Sequence, residues 1–177
     1  MRKLNTCELN RINVGEFKNS AKTPVIVVLD NIRSLNNIGS VFRTSDAFRI
    51  QKIYLCGITC CPPHRDIQKT ALGATESVEW EYCESTVECV TNLKANGVLI
   101  ASVEQAEGST SLNDFNYDFK SPIAVVFGNE VTGVDDAVIE HSDCCIEIPQ
   151  IGTKHSLNIS VCCGIVLYSL FRAFYEK

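Results

Sequence analysis

PVIVVLDNIRSLNNIGSVFRTSDAF, residues 24–48, holds two periodicities back to back. Its first six residues are apolar without alternation and rich in β-branched side chains, the pattern of a strand buried on both faces. Asp30 and Asn31 end that run, and apolar positions then recur at Ile38, Val41 and Phe42, one face of a helix over 38–48. Asn36 or Asn37 is the expected N-cap of that helix, and Gly39 permits close approach of a backbone or a ligand. A doubly covered strand running straight into a helix is the unit from which parallel sheets are built.

The unit repeats along the chain. Residues 53–55, 98–101, 123–127 and 145–148 read as further apolar strands, and 85–95, 135–140 and 157–175 as helices. The expected fold is therefore α/β, a mostly parallel sheet with helices on both faces. Residues 4–20 read as a polar N-terminal helix carrying Leu9, Ile12 and Phe17. No Gly/Ser-rich or Pro-rich linker and no internal repeat divides the sequence, so one domain over 1–177 is expected, with 1–22 as a helical extension.

Composition narrows the class. With 45% hydrophobic and 21% charged residues, the chain has the apolar content that disordered segments lack. The longest nearly apolar run, 161–171, is cut by Gly164 and Ser169 and falls short of the roughly 18 residues a membrane span needs. Met1-Arg2-Lys3 leads into Leu4-Asn5-Thr6 instead of an apolar segment, so no signal peptide is expected. Six of the ten cysteines form adjacent pairs, Cys60-Cys61, Cys144-Cys145 and Cys162-Cys163, in apolar or strand-like surroundings. Without a secretory signal they read as free thiols of a cytoplasmic protein. Cys60-Cys61-Pro62-Pro63-His64 offers soft ligands, but no second pair at zinc spacing completes a site, and no metal is expected.

The net charge of −5 conceals an asymmetry: residues 1–70 hold eleven Lys/Arg against five Asp/Glu, whereas the remainder is strongly acidic. A basic front half makes a nucleic-acid face feasible. The last helix adds a second signal. Leu157, Ile159, Val161, Ile165, Val166, Leu167, Leu170, Phe171 and Phe174 fall on nearly every side of it. A helix apolar all round must be covered on two sides, either inside its own domain or by a second subunit, and a homodimer is expected.

Three segments place polar residues directly after strands, where ligands bind in open parallel sheets. They are Asn31-x-Arg33-x-x-x-Asn37-Ile38-Gly39-x-x-x-Arg43-Thr44, Phe127-Gly128-Asn129-Glu130-x-x-Gly133, and Ile148-Pro149-x-x-Gly152-x-x-x-Ser156-Leu157-Asn158-Ile159-Ser160. Taken singly, each is accounted for by a capped helix or a tight loop, with Ser156 or Asn158 as the cap in the third. Neither a phosphate-binding P-loop nor a Gly-x-Gly-x-x-Gly fingerprint occurs.

In order and spacing, the three segments together resemble the motifs of the SpoU/TrmH branch of the SPOUT RNA methyltransferases, from Val25 to Arg172. Glu8 to Arg11 is similar to a short N-terminal helix found in such enzymes, and nothing is left over for a separate RNA-binding domain. The resemblance implies a C-terminal deep trefoil knot, S-adenosylmethionine as cofactor, and methyl transfer to a ribose 2′-OH of tRNA or rRNA; a small domain with no added RNA-binding module leans toward tRNA. It also implies that dimerisation brings RNA-contacting residues of one subunit near the cofactor of the other. Carried over by motif, it assigns Arg43, Asn37, Glu130, Ser156 and Asn158 to catalysis. Val103, Gly128, Asn129, Ile148, Ser156 and Leu157 are assigned to the cofactor pocket, lined by backbone amides and uncharged side chains. Arg33, Arg43, Arg49, Lys52, Arg65 and Lys69 are candidate phosphate contacts. Phe48-Arg49 departs from the Phe-Gly common in the family and leaves that helix's C-cap open. An arginine with a pKa above about 12 is a poor general base, and a bidentate grip on phosphate accounts for Arg43 without deprotonation. Two alternatives stand beside this expectation: an RNA-binding protein without turnover, and a doubly wound nucleotide- or phosphate-binding enzyme.

Overall fold

The computed structural model describes residues 1–176. Seven strands form a single parallel sheet: β1 (Thr23–Asp30), β2 (Ile50–Cys56), β3 (Trp80–Cys83), β4 (Leu99–Val103), β5 (Thr110–Ser111), β6 (Ile123–Phe127) and β7 (Cys144–Glu147). Their order across the sheet is β3-β2-β1-β6-β4-β7-β5. The helices are α1 (Val14–Asn19), α2 (Leu35–Ala47), α3 (Arg65–Ala71), α4 (Ala74–Ser77), α5 (Thr86–Ala95), α6 (Asp136–His141) and α7 (Ile159–Tyr175).

β1 shows why the sheet needs two covers. Val25, Val27 and Leu29 pack with Ile38, Val41 and Phe42 of α2, Ile67 of α3 and the buried side of α7. Ile26 and Val28 point the other way, into a second core with Cys89, Val90 and Leu93 of α5 and Val138 of α6. Successive side chains of a strand alternate between faces, so a continuous apolar run means burial on both.

α2 starts earlier than expected. Ser34 is its N-cap, its Oγ accepting from the Asn37 N–H at 3.3 Å, so neither Asn36 nor Asn37 caps. Leu35, packed against the core, draws one more residue into the first turn and leaves the Asn37 side chain free for other partners. Gly39 meets α3: a Cβ there would collide with the Ile67 carbonyl and the Thr70 hydroxyl, so the close approach is by backbone. Arg49 takes the left-handed conformation, φ +49°, where the family's glycine would stand.

The expected N-terminal helix is interrupted. A short 3-10 turn over Thr6–Leu9 ends at Asn10 in the left-handed region, and Asn13 then caps α1 through the Glu16 N–H at 2.9 Å. Asparagine side chains satisfy local backbone groups on their own, so this polar stretch breaks where the residue type allows it. β3, β5, α3 and α4 also lie outside the elements read from sequence. β3 is an edge strand with Glu81 and Tyr82 exposed, and β5 has two residues, so neither carries an apolar run.

In α7, Ile159, Cys163, Val166, Leu167 and Leu170 are buried, and Asn158 is its N-cap, accepting from the Ser160 N–H at 2.9 Å. Phe171 meets Phe48 at the end of α2, ring centroids 5.2 Å apart. The opposite side stays exposed: Val161 is 51%, Ile165 38% and Tyr168 54% accessible. No helix among the described residues is long and apolar enough to cross a membrane.

Candidate active site

Four strand ends converge on one place. The loop after β1 (31–34), the loop after β6 (128–134), the residues after β4 and the segment 148–158 after β7 all leave the carboxyl edge of the sheet, where parallel sheets bind ligands.

Asp30, the last residue of β1, is 1% exposed and anchors this edge. Its Oδ1 accepts from the Thr86 hydroxyl at 2.6 Å and from Asn31 Nδ2 at 2.8 Å, and its Oδ2 from the Asp135 N–H at 3.0 Å. A buried carboxylate with three donors is satisfied and ties α5 and α6 to the first motif.

The second motif is a closed loop. Asn129 and Gly133 exchange two backbone hydrogen bonds of 2.9 Å. Gly128 makes the closure possible, because a Cβ there would overlap the backbone of Gly133 and Val134. The Asn129 amide donates to the Asn31 carbonyl at 2.7 Å, while its Oδ1 accepts from Val131 N–H at 2.9 Å. The side chain is therefore committed to joining two loops.

Glu130 reaches from this loop to the start of α2. Its Oε2 accepts from the Arg33 N–H at 3.1 Å, and its Oε1 from the Ser34 N–H at 3.1 Å and Asn37 Nδ2 at 3.2 Å. Asn37 Oδ1 in turn accepts from Asn158 Nδ2 at 3.3 Å. Partial burial pushes the Glu130 carboxyl up, but donors from Arg33, Ser34 and Asn37 outweigh it and hold the group below its ordinary range. The result is an ionised carboxylate at a helix N-terminus, linked through one amide to the third motif.

Beside this chain opens a cavity of about 490 Å³, within the range of roughly 300–1,000 Å³ typical of small-molecule sites. Val103, Gly128, Asn129, Ile148, Ser156 and Leu157 all line it, as do Glu130 and Asn158. Its wall is more acidic than the sequence suggested, for Glu104 and Glu147 join Glu130. Glu104 accepts from the Val134 N–H at 3.1 Å and the Gln105 N–H at 2.9 Å, and Gln105 donates to the His155 carbonyl at 2.8 Å. Sequence reasoning missed Glu104 and Gln105, although they directly follow β4 at the sheet's carboxyl edge. Cys162 also lines the cavity, its thiol pushed up to about 11 by burial and by the Glu104 charge, so it stays protonated.

Arg43 lies elsewhere. It is exposed on α2 and lines a second cleft of about 740 Å³ with Arg11 and Arg49. Within one chain, Asn37, Glu130 and Asn158 are joined by hydrogen bonds, and Arg43 is not part of that set. Among the other candidate phosphate contacts, Arg33, Arg65 and Lys69 are exposed and Arg49 is half-buried. Lys52 differs: its amine pairs with Glu79 at 3.2 Å and Glu81 at 2.8 Å, so its charge is already matched within the protein. His64 caps α3, its Nδ1 accepting from the Asp66 N–H at 3.2 Å, and among the described residues it joins no ligand cluster with Cys60 or Cys61.

The SpoU rRNA methylase family model matches residues 24–168. A Staphylococcus saprophyticus protein named for the TrmH family of tRNA/rRNA methyltransferases is 29% identical over 159 residues, 90% of this chain and 63% of its own length. A 23S rRNA (guanosine-2′-O-)-methyltransferase of Neisseria meningitidis is 29% identical over 151 residues, 85% of this chain and 59% of its own. The A. aeolicus TrmH/SpoU tRNA modifying enzyme superposes with a TM-score of 0.81 at 26% identity, covering 93% of this chain and 83% of that one. An AdoMet-bound rRNA methyltransferase from Sinorhizobium meliloti superposes with a TM-score of 0.78 at 25% identity, over 86% of this chain and 60% of that one. The chain spans 58 to 65% of the length of the first curated relatives it matches.

Proposed function

The chain belongs to the SpoU rRNA methylase family, and from that premise we propose that it is an S-adenosylmethionine-dependent RNA methyltransferase acting on a ribose 2′-OH, in tRNA rather than rRNA. One observation carries the proposal: the hydrogen-bonded chain Glu130–Asn37–Asn158 stands at the rim of a cavity lined by all six residues expected to hold the cofactor.

The donor set fits S-adenosylmethionine. Val103, Ile148, Leu157 and Ile159 offer aliphatic walls for a planar base, and the Gly128–Gly133 loop brings backbone close to the cavity. Glu104, Glu130 and Glu147 put negative charge beside a cationic ligand. The cofactor supplies a methyl group carried on a sulfonium.

The chain's own residues orient the acceptor. Asn37, Ser156 and Asn158 hold the ribose by neutral donors and acceptors, and Glu130 keeps Asn37 in place. Arg43 grips an RNA phosphate by its guanidinium fork. Its separate cleft, shared with Arg11 and Arg49, supports a composite site in which one subunit's Arg43 serves the other subunit's cavity. The exposed Val161, Ile165 and Tyr168 stripe on α7 supports a homodimer. The return of α7 from β7, beyond β4, to pack on α2 and β1 supports a trefoil-knotted path. Ten unpaired cysteines support a reducing, cytoplasmic setting.

Methyl transfer from labelled S-adenosylmethionine to total tRNA and to rRNA, with mapping of the modified nucleotide, tests the proposal. A 2′-O-methylated ribose in tRNA is expected. Labelled rRNA alone would overturn the tRNA assignment, and absence of cofactor binding by calorimetry would overturn the whole.

A further inference from the structure

On the α5 side of the sheet, away from the cavity, three thiols from three elements meet. Cys56 ends β2, Cys83 ends β3, and Cys89 lies in the second turn of α5. Cys56 and Cys83 are register partners across the parallel β2/β3 pair, which places both side chains on one face, the face α5 covers. The three sulfurs all lie within 4.8 Å of one another, and none is in a disulfide.

We propose that Cys56, Cys83 and Cys89 form a binding site for a soft, thiophilic cation, and that Cu(I) is the ion they fit. Metal–thiolate bonds of about 2.3 Å in a trigonal plane set sulfurs roughly 4 Å apart, so closing on an ion needs shifts below about 1 Å. Among the described residues no His, Asp, Glu or fourth Cys joins the group. An all-thiolate set selects soft ions, and three donors suit Cu(I), whereas structural zinc asks for a fourth. Cys56 and Cys89 are buried and Cys83 is half-exposed, which leaves an entry path from the sheet edge.

A metal ion bound there displaces a proton from each thiol that becomes a thiolate. A bound ion would clamp β2, β3 and α5 together beneath the Thr86–Asp30 bond and so brace the floor of the first motif.

The test is anaerobic titration of the reduced protein with Cu(I) against a chromophoric Cu(I) chelator, in a Cys7→Ser/Cys60→Ser background that removes the exposed thiols. One ion per chain and a higher melting temperature are expected. Loss of an outer partner already costs a metal site about 10- to 100-fold, so Cys83→Ser, which removes a ligand, weakens binding by at least that. Cys145→Ser, on β7, leaves it unchanged. X-ray absorption of the copper-loaded background protein gives three sulfur neighbours at about 2.3 Å and needs no ligand variant to fold. Unchanged affinity in Cys83→Ser, two sulfur neighbours, or no ion retained against the chelator would each overturn the site.

Discussion

Glu130 Oε1 accepts a hydrogen bond from Asn37 Nδ2 at 3.2 Å, across 93 residues of sequence. The same carboxylate accepts from the backbone N–H groups of Arg33 and Ser34, the two residues that lead into α2. Glu130→Ala therefore removes both a negative charge at the helix entry and the brace that orients Asn37. A loss of roughly 0.5–1 kcal/mol in stability is expected from the lost charge at the helix N-terminus. Misplacing Asn37 by about 1 Å costs turnover about 100-fold. Methyl-transfer kinetics with melting curves checks both, and full activity in a folded Glu130→Ala protein would remove Glu130 from the site.

A pH signature follows from the same contacts. The Glu130 carboxyl is held below its ordinary value of 4.5, so its stabilisation is fully present above that value and is lost as pH falls through its lowered folded pKa. The stability gap between the native protein and Glu130→Gln should narrow on acidification below the ordinary carboxylate range. A gap that widens toward acid would contradict the assigned hydrogen bonds.

Arg43→Lys keeps the charge and loses the fork. If the guanidinium grips phosphate in a fixed geometry, turnover drops by about 100-fold or more while RNA affinity changes much less. Filter binding beside single-turnover rates separates the two quantities. Equal losses in both would make Arg43 an ordinary electrostatic contact.

Gly128→Ala forces a methyl group into the backbone of Gly133 and Val134. Because the neighbour is backbone, the 128–134 loop must open, costing roughly 1–3 kcal/mol as overpacking does. Calorimetry with S-adenosylmethionine should show weaker binding, with Gly164→Ala, whose Cβ meets open space on α7, as the comparison.

Ile165→Glu places a charge in the middle of the exposed α7 stripe without touching the buried side formed by Cys163, Val166 and Leu170. Sedimentation should then report monomers with unchanged secondary structure where the native chain sediments as dimers. A native chain already monomeric at micromolar concentration would refute the interface.

Much of this architecture is written in local pattern. The doubly buried strands 24–29 and 123–127 declared themselves because a parallel sheet covered on both faces tolerates no polar alternation. Five of the expected cavity residues followed from motif order and Val103 from its place at the end of a strand, and all six line the cavity. Short edge elements such as β3 escaped, since four residues with an exposed Glu81 carry no periodicity. Apolar spacing alone continues the N-terminal helix through 4–20, whereas Asn10 and Asn13 satisfy the backbone locally and divide it.

Sequence alone determined the buried strands, the longer helices and the motif residues at the cavity, because period and composition act within a few residues of one another. Only tertiary structure decided partnership. It gave Glu130 to α2, committed Asn129 to the Asn31 carbonyl, withdrew Lys52 into ion pairs with β3 and its preceding residue, and brought Cys56, Cys83 and Cys89 together. Each of these depends on which strands lie side by side. In a sheet ordered β3-β2-β1-β6-β4-β7-β5, β2 and β3 follow one another in the chain, whereas β1 and β6, whose loops carry Asn31 and Glu130, are neighbours only in space.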